Sequence, residues 1–411
     1  MRRLAILSLL VISVVVLVSC GTTETEPEKE ITIRVQGTVT AAADGIVLTG
    51  AKVEAWKSSW TSPSLLETAL SDTQGHYSLS FVHTGRYCFD SMFVITATCG
   101  GFQNLSFTDH DTTYIRCTDQ VQTIDFQLEL SWEGANLYSV WGTSSSDVYA
   151  VGSDGAIGHY DGTDWNAIIT ETSNWLYGVW GTSSNDIYAV GAGGTILHYD
   201  GTGWSDVTSE KIGNFRSVWG TSSSDVYAVN LGGVILHYDG SSWAVVSSGW
   251  SVPTIGRPSS LNGVWSTSPS DVYVVGEFGI ILHYDGNILR AMTSDKSSHL
   301  WGVWGTSSSN VYAVGSDGAI LHYDGTDWSE MTSGTGGNFR SVWGASSSDV
   351  YAVGLGGVIV HYDGTIWSEM TSGTGSNLKG VWGTSSSDVY AVGSGGVIMH
   401  YDGTGWSEMT R

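Results

Sequence analysis

The sequence predicts an all-β protein, a small β-sandwich followed by a seven-bladed β-propeller of four-stranded blades. Three observations carry that reading. A Val-Trp-Gly motif, Val-Trp-Ser in its fourth copy, recurs with its indoles at Trp141, Trp180, Trp219, Trp265, Trp304, Trp343 and Trp382. The steps are 39, 39, 46, 39, 39 and 39 residues, a period that belongs to solenoids and propellers. Each copy holds four runs of strand formers, as in NLKGVWG, DVYAVG, VIMHYDG and WSEMT, separated by Ser, Asp and Gly turns with no helical period. Four short antiparallel strands per repeat make a propeller blade, and a closed ring removes the end faces a solenoid must cap.

In chain order, residues 1–20 carry Arg2 and Arg3 and then an apolar run from Leu4 to Val18, the pattern of an export signal. The run ends in Leu17-Val18-Ser19-Cys20, which resembles the lipobox of bacterial lipoproteins. That resemblance implies cleavage before Cys20 and lipidation of its thiol and new amine. The chain would then be anchored outside the cytoplasm, at an outer membrane or cell surface. Residues 21–30, GTTETEPEKE, offer nothing apolar to bury and read as an acidic flexible tether.

Residues 31–130 contain alternating runs (ITIRVQGTV, GAKVEAW, HYSLSF, FVITATC, TIDFQLEL), the spacing of a sandwich. The stretches GTVTAAADGIVLTGAKVEAW and SDTQGHYSLSF resemble the carboxypeptidase regulatory-like (transthyretin-like) domain, with a carbohydrate-binding-like fold among its relatives. The resemblance implies an accessory or spacer module. Cys88, Cys99 and Cys117 allow one disulfide, and the sequence does not choose among the three pairings. His76, His83 and His110 read as scattered surface histidines.

Residues 131–411 form the propeller. The order AVGLGGVIVHYDGTIW is similar to kelch and galactose-oxidase-like repeats, and GGTILHYDGTGW to photosystem-assembly-factor-like and BNR-type propellers. The Asp-box spacing of sialidases is missing from them. The invariant positions read as scaffold. Seven histidines precede Tyr-Asp-Gly, but equivalent residues of different blades lie far apart around a ring and cannot share one ion. Asn310 stands where other copies carry Asp, which argues against a calcium loop, so neither metal nor cofactor is expected.

A single binding site should use positions that break the repeat. The residue two before Val-Trp is Tyr138, Tyr177, Arg216, Asn262, Trp301, Arg340 or Lys379. By symmetry these stand at one height near the start of each first strand, ringing the mouth of the central channel. Between second and third strands Glu277 and Phe278 stand out, and the long step between the third and fourth copies adds Trp250 and Arg257, stiffened by Pro253 and Pro258. These residues gather on one variable face, and aromatic rings beside Arg and Asn suit recognition of a protein or glycan.

Charge narrows the partner. The chain has 40 acids against 16 Lys and Arg, and from Ser131 onward 26 against 8, which disfavours nucleic acid. The expectation is a monomeric, non-enzymatic, membrane-anchored binding or scaffold protein. The alternatives are a multivalent lectin using the invariant face, and a propeller hydrolase or oxidase built on Arg216, Arg290, Arg340 and Glu277.

Overall fold

The computed structural model describes residues 134–410 apart from 169, 171, 209–211, 248–258 and 295. Of the first 133 residues it describes strands only. The chain divides into two compact units, Met1–Trp132 and Glu133–Arg411. In the first, one sheet runs Ser13–Leu17, Met92–Thr98, Lys52–Ser58, Ser64–Leu70 in spatial order. Its first strand falls within the apolar run read as an export signal. The other sheet centres on Lys29–Ala41, which begins inside the predicted tether and pairs antiparallel with His76–Gly85 and parallel with Gln122–Thr123 and Phe126–Leu128. Cys20, Cys88, Cys99, Cys117 and His110 lie outside the described residues. No described helix is long and apolar enough to cross a membrane.

In the second unit each repeat is one blade. Blade seven comprises Leu378–Ser385, Asp388–Gly393, Ile398–Tyr401 and Trp406–Glu408. All seven sheets keep their strands in sequence order, antiparallel and adjacent. No blade borrows a strand, so the ring closes without strand pairing between blades seven and one. The second strand explains its own composition. It lies between neighbouring sheets with both faces covered, and Val389, Tyr390, Ala391 and Val392 are at most 1% exposed. A strand buried on both sides reads as a continuous apolar run rather than an alternating one.

The Val-Trp-Gly motif is an inter-blade joint. A Cβ on Gly344 would stand 2.7 Å from the ring of Trp304 in the preceding blade, and one on Gly142 would stand 2.8 Å from Trp382. The glycine thus makes room for its neighbour's indole, and the second case closes blade seven onto blade one. The second-strand tyrosine adds a hydrogen bond to the next blade: Tyr351 Oη donates to the Ser386 carbonyl (2.9 Å), and Tyr390 Oη to that of Ser145 (3.0 Å).

Blade four breaks the joint. Ser266 is buried where the other blades have glycine, and its hydroxyl has no hydrogen-bond partner. Trp219, which faces it, donates from Nε1 to the Ser266 carbonyl at 3.1 Å. The serine puts a Cβ and a hydroxyl into the space that the other blades leave to the indole.

The repeated histidines pair with a different aspartate from the one beside them in sequence. His159 Nε2 lies 2.7 Å from Asp147 Oδ1 at the start of the second strand, and that carboxylate also accepts from Thr143. His198, His237, His283, His361 and His400 repeat the bond at 2.6–2.8 Å. The Tyr149 ring stacks on His159 with centroids 4.3 Å apart. Asn310 keeps the backbone pairing to Ser307, yet its Oδ1 and His322 Nε2 are both buried without partners. The substitution is silent for the backbone and costly for the side chains.

Candidate binding site at the channel mouth

Each first strand carries a bulge near its start. Leu176 pairs with Gly191 and Gly178 with Val190, so Tyr177 is the extra residue between two ladder positions. The same skip isolates Tyr138, Arg216, Asn262, Trp301, Arg340 and Lys379. A bulged residue is released from strand pairing and re-aimed. That is why these positions vary widely while the residue before is held to Leu or Phe. The next position down the channel is far more constrained, Gly or Ser in every blade. A Cβ on Gly380 would lie 2.9 Å from Ser139 Cα of the next blade. Where this position is Ser139, its hydroxyl accepts from Val179 N of the next blade (3.3 Å).

All seven bulge residues line a single cavity of about 570 Å³ on the ring axis, floored by the first-strand Val residues with Trp141, Trp219, Trp304, Trp343 and Trp382. Their contacts run around the rim. Arg216 lies over the Tyr177 ring at 4.3 Å, Arg340 over Trp301 at 4.0 Å, and Lys379 over Tyr138 at 4.2 Å. Tyr138 and Tyr177 meet edge to face at 5.1 Å. Each such cation–π contact contributes ~0.5–1 kcal/mol, more where water is excluded. Burial, then the neighbouring Tyr177, pushes the Tyr138 hydroxyl up to about 12, against the pull of Arg216. Burial lowers both Arg340 and Lys379, and mutual repulsion adds to it, from Arg216 on Arg340 and from Arg340 on Lys379. Asn262 donates from Nδ2 to the Leu300 carbonyl at 2.9 Å, while its Oδ1 is buried without a partner.

Two aromatic residues at the rim were not singled out from sequence. Trp175 is 43% exposed and stacks beside Tyr138, centroids 5.9 Å apart. The equivalent residue is Asn136, Asn214, Asn338 and Asn377 in four other blades. There its Oδ1 accepts from a backbone N–H of the preceding blade, such as Gly193 to Asn214 at 2.8 Å and Gly356 to Asn377 at 2.9 Å. Trp175 cannot accept, and instead donates from Nε1 to Asp154 Oδ1 at 3.3 Å. His299 occupies the same column and still accepts through Nδ1 from Phe278 N (3.3 Å). Aligning that column against the seven-fold pattern would have revealed Trp175.

Phe278 stands apart for a second reason. It adopts φ +58°, a left-handed conformation that the equivalent turns give to Asp154, Gly193, Asp317, Gly356 and Gly395. An aromatic residue there costs about 1 kcal/mol of strain or more. Its ring, 38% exposed, lies 5.0 Å from His299, which is 6.4 Å from Trp301. Neither Glu277 nor Phe278 lines the cavity itself. Trp250 and Arg257, with Pro253 and Pro258, lie outside the described residues. Among the described residues no three His, Cys, Asp or Glu side chains gather as a metal site. Arg290 is remote from the rim contacts, on an outer strand and paired with Asp285 at 2.6 Å.

The fold has relatives among solved structures. The chain is similar to YCF48 bound to D1 peptide, at 15% identity with TM-score 0.54, covering 66% of this chain and 92% of that one. It is similar also to YCF48 from Cyanidioschyzon merolae, at 14% identity with TM-score 0.54, covering 66% and 96%. The WD40 β-propeller domain of Doa1 follows at 13% identity with TM-score 0.52, covering 68% and 94%. No family model and no curated protein matches the chain. At these identities the likeness is one of fold: the chain carries a seven-bladed propeller of four-stranded antiparallel blades.

Proposed function

We propose that this protein is a non-enzymatic binding or scaffold protein whose propeller takes a protein segment at the channel mouth. In this reading Cys20 carries a lipid anchor outside the cytoplasm, and residues 31–130 form a sandwich spacer that holds the propeller off the membrane. The observation that carries the binding claim is the convergence of seven bulged, non-repeating residues on one cavity, three of them cations laid on aromatic rings. Such a rim supplies large rigid contact area and directed hydrogen bonds, the features of interface hot spots. The ligand of one structural neighbour, a D1 peptide on YCF48, agrees with a peptide or protein partner.

The test is capture of envelope proteins and a glycan panel by the purified full-length chain, with stoichiometry measured for whatever binds. One protein ligand per chain, lost in Trp301→Ala, supports the reading. A glycan bound at several equal sites and indifferent to Trp301→Ala would replace it with the lectin alternative. The anchor is tested separately, by mass spectrometry of the N-terminal fragment for an acylated Cys20.

A further inference from the structure

The described propeller has five Lys and Arg residues. Two lie away from the axis and are paired, Arg290 with Asp285 at 2.6 Å and Lys296 with Glu330 at 2.7 Å. The other three, Arg216, Arg340 and Lys379, have no carboxylate partner among the described residues, and all three stand at the channel mouth. In a chain of net charge −24 that distribution is not a by-product of composition. Arg216 repels Arg340 and Arg340 repels Lys379, and among the described residues no carboxylate pairs with any of them.

Two buried polar atoms at the same mouth also lack partners: Arg216 Nε, a donor, and Asn262 Oδ1, an acceptor. Asn262 is only 6% exposed, and its amide orientation is fixed by the bond from Nδ2 to Leu300 O. Leaving such atoms unsatisfied forfeits the hydrogen bonds they make to water in the unfolded chain. A ligand that brings an anion and an adjacent N–H would satisfy both.

We propose that the mouth is an anion site, and that its occupant is an acidic peptide segment whose carboxylates sit among Arg216, Arg340 and Lys379. The inference rests on the protein-binding reading above and specifies its chemistry. Each guanidinium has one face covered by a ring, which leaves its edge N–H groups to meet carboxylate oxygens, and the Lys379 ammonium offers its free N–H groups beside them. A peptide also supplies the backbone N–H that Asn262 Oδ1 lacks. Beyond the cations lie the exposed faces of Trp175 and Phe278, the first in a scaffold asparagine's place and the second in a strained turn. These offer seats for apolar side chains flanking the acid, which an inorganic anion does not possess.

Calorimetry on the full-length chain in detergent tests this with four probes: N-acetylated tetraglutamate, N-acetylated tetraglutamine amide, inorganic pyrophosphate and trigalacturonate. One tetraglutamate should bind per chain, weakening as salt rises, with tetraglutamine amide at least about tenfold weaker, the scale of one lost charge-assisted bond. Arg216→Gln and Arg340→Gln should each weaken tetraglutamate about tenfold. Arg340→Lys should recover part of the loss, and Arg290→Gln should change nothing. Melting midpoints of the variants confirm that each still folds, and Lys379→Met serves if an Arg variant does not. No tetraglutamate binding, equal binding of the two peptides, or binding insensitive to the three cations would overturn the proposal. Tighter binding of trigalacturonate or pyrophosphate would assign the site to a uronate or a phosphate instead. If a protein partner is captured one to one but ignores the cation variants, the anion inference fails alone and the binding reading survives.

Discussion

Asn310→Asp should stabilise the protein, because it restores a link that six of the seven blades possess. In those six, a carboxylate at the start of the second strand bonds the third-strand histidine at 2.6–2.8 Å. The partners are partly shielded, the histidines 24–28% and the aspartates 5–18% exposed. In blade five His322 Nε2 and Asn310 Oδ1 are both unpaired. A hydrogen bond to a charged group contributes ~1.5–3 kcal/mol. Discounting for partial solvent exposure and for desolvating a new carboxylate leaves about 1–2 kcal/mol. For a domain of this size that is roughly 2–6 °C in melting midpoint. The control is Asp349→Asn in blade six, where Ala345 replaces the usual threonine and His361 is the carboxylate's cross-strand partner. It should lose a similar amount. Thermal and urea denaturation at neutral pH read both. If Asp349→Asn is neutral, the His–Asp link contributes nothing and the reasoning fails. An unchanged or lowered midpoint for Asn310→Asp beside a destabilised Asp349→Asn would show that blade five has repacked around its asparagine.

Ser266→Gly should let Trp219 enter the seat its counterparts occupy, raising stability and cutting acrylamide quenching of that indole, while Gly344→Ser should expel Trp304 and do the reverse. Trp175→Asn inserts the residue of four other blades and should leave the melting midpoint unchanged or higher while weakening ligand binding; a large loss of stability would mark Trp175 as scaffold. Phe278→Gly should relieve left-handed strain and gain about 1 kcal/mol, read by urea titration. The exposed turn carboxylates Asp200, Asp239, Asp324 and Asp402 are lowered to about 2, chiefly by the neighbouring Thr or Ser hydroxyl and then by backbone N–H groups. A depressed carboxylate stabilises the fold above its unfolded pKa, so that contribution is lost as pH falls from about 4 through about 2. Melting midpoints across that window should fall less steeply in Asp324→Asn than in the parent.

The propeller was legible because one pattern is written seven times. Period, strand count and turn chemistry agree, and the first strands line the channel as symmetry demanded. The position of the ring residues was legible for the same reason. Their chemistry was not, because a bulge leaves no mark in a single repeat and cation–ring pairing depends on which blades are neighbours. The histidine link was not legible for a related cause. Sequence sets His159 two residues from Asp161, whereas strand pairing brings it to Asp147, twelve residues away. Trp175 was missed because one exchanged column in a polar turn is inconspicuous until the asparagine's hydrogen bond is seen. Trp219 shows the opposite case, a displacement already encoded in Ser266 but interpretable only once glycine is known to seat an indole.

On the proposed reading the variable mouth, and not the invariant face, meets the partner. Site-specific photo-crosslinking in intact cells tests it directly, with a benzoylphenylalanine at position 301 on the mouth or at position 366, where exposed Ile366 stands in an invariant-face turn. One discrete protein adduct is expected from position 301, absent when Arg340 is changed to Gln, and none from position 366. An adduct from position 366 with none from 301 would contradict it.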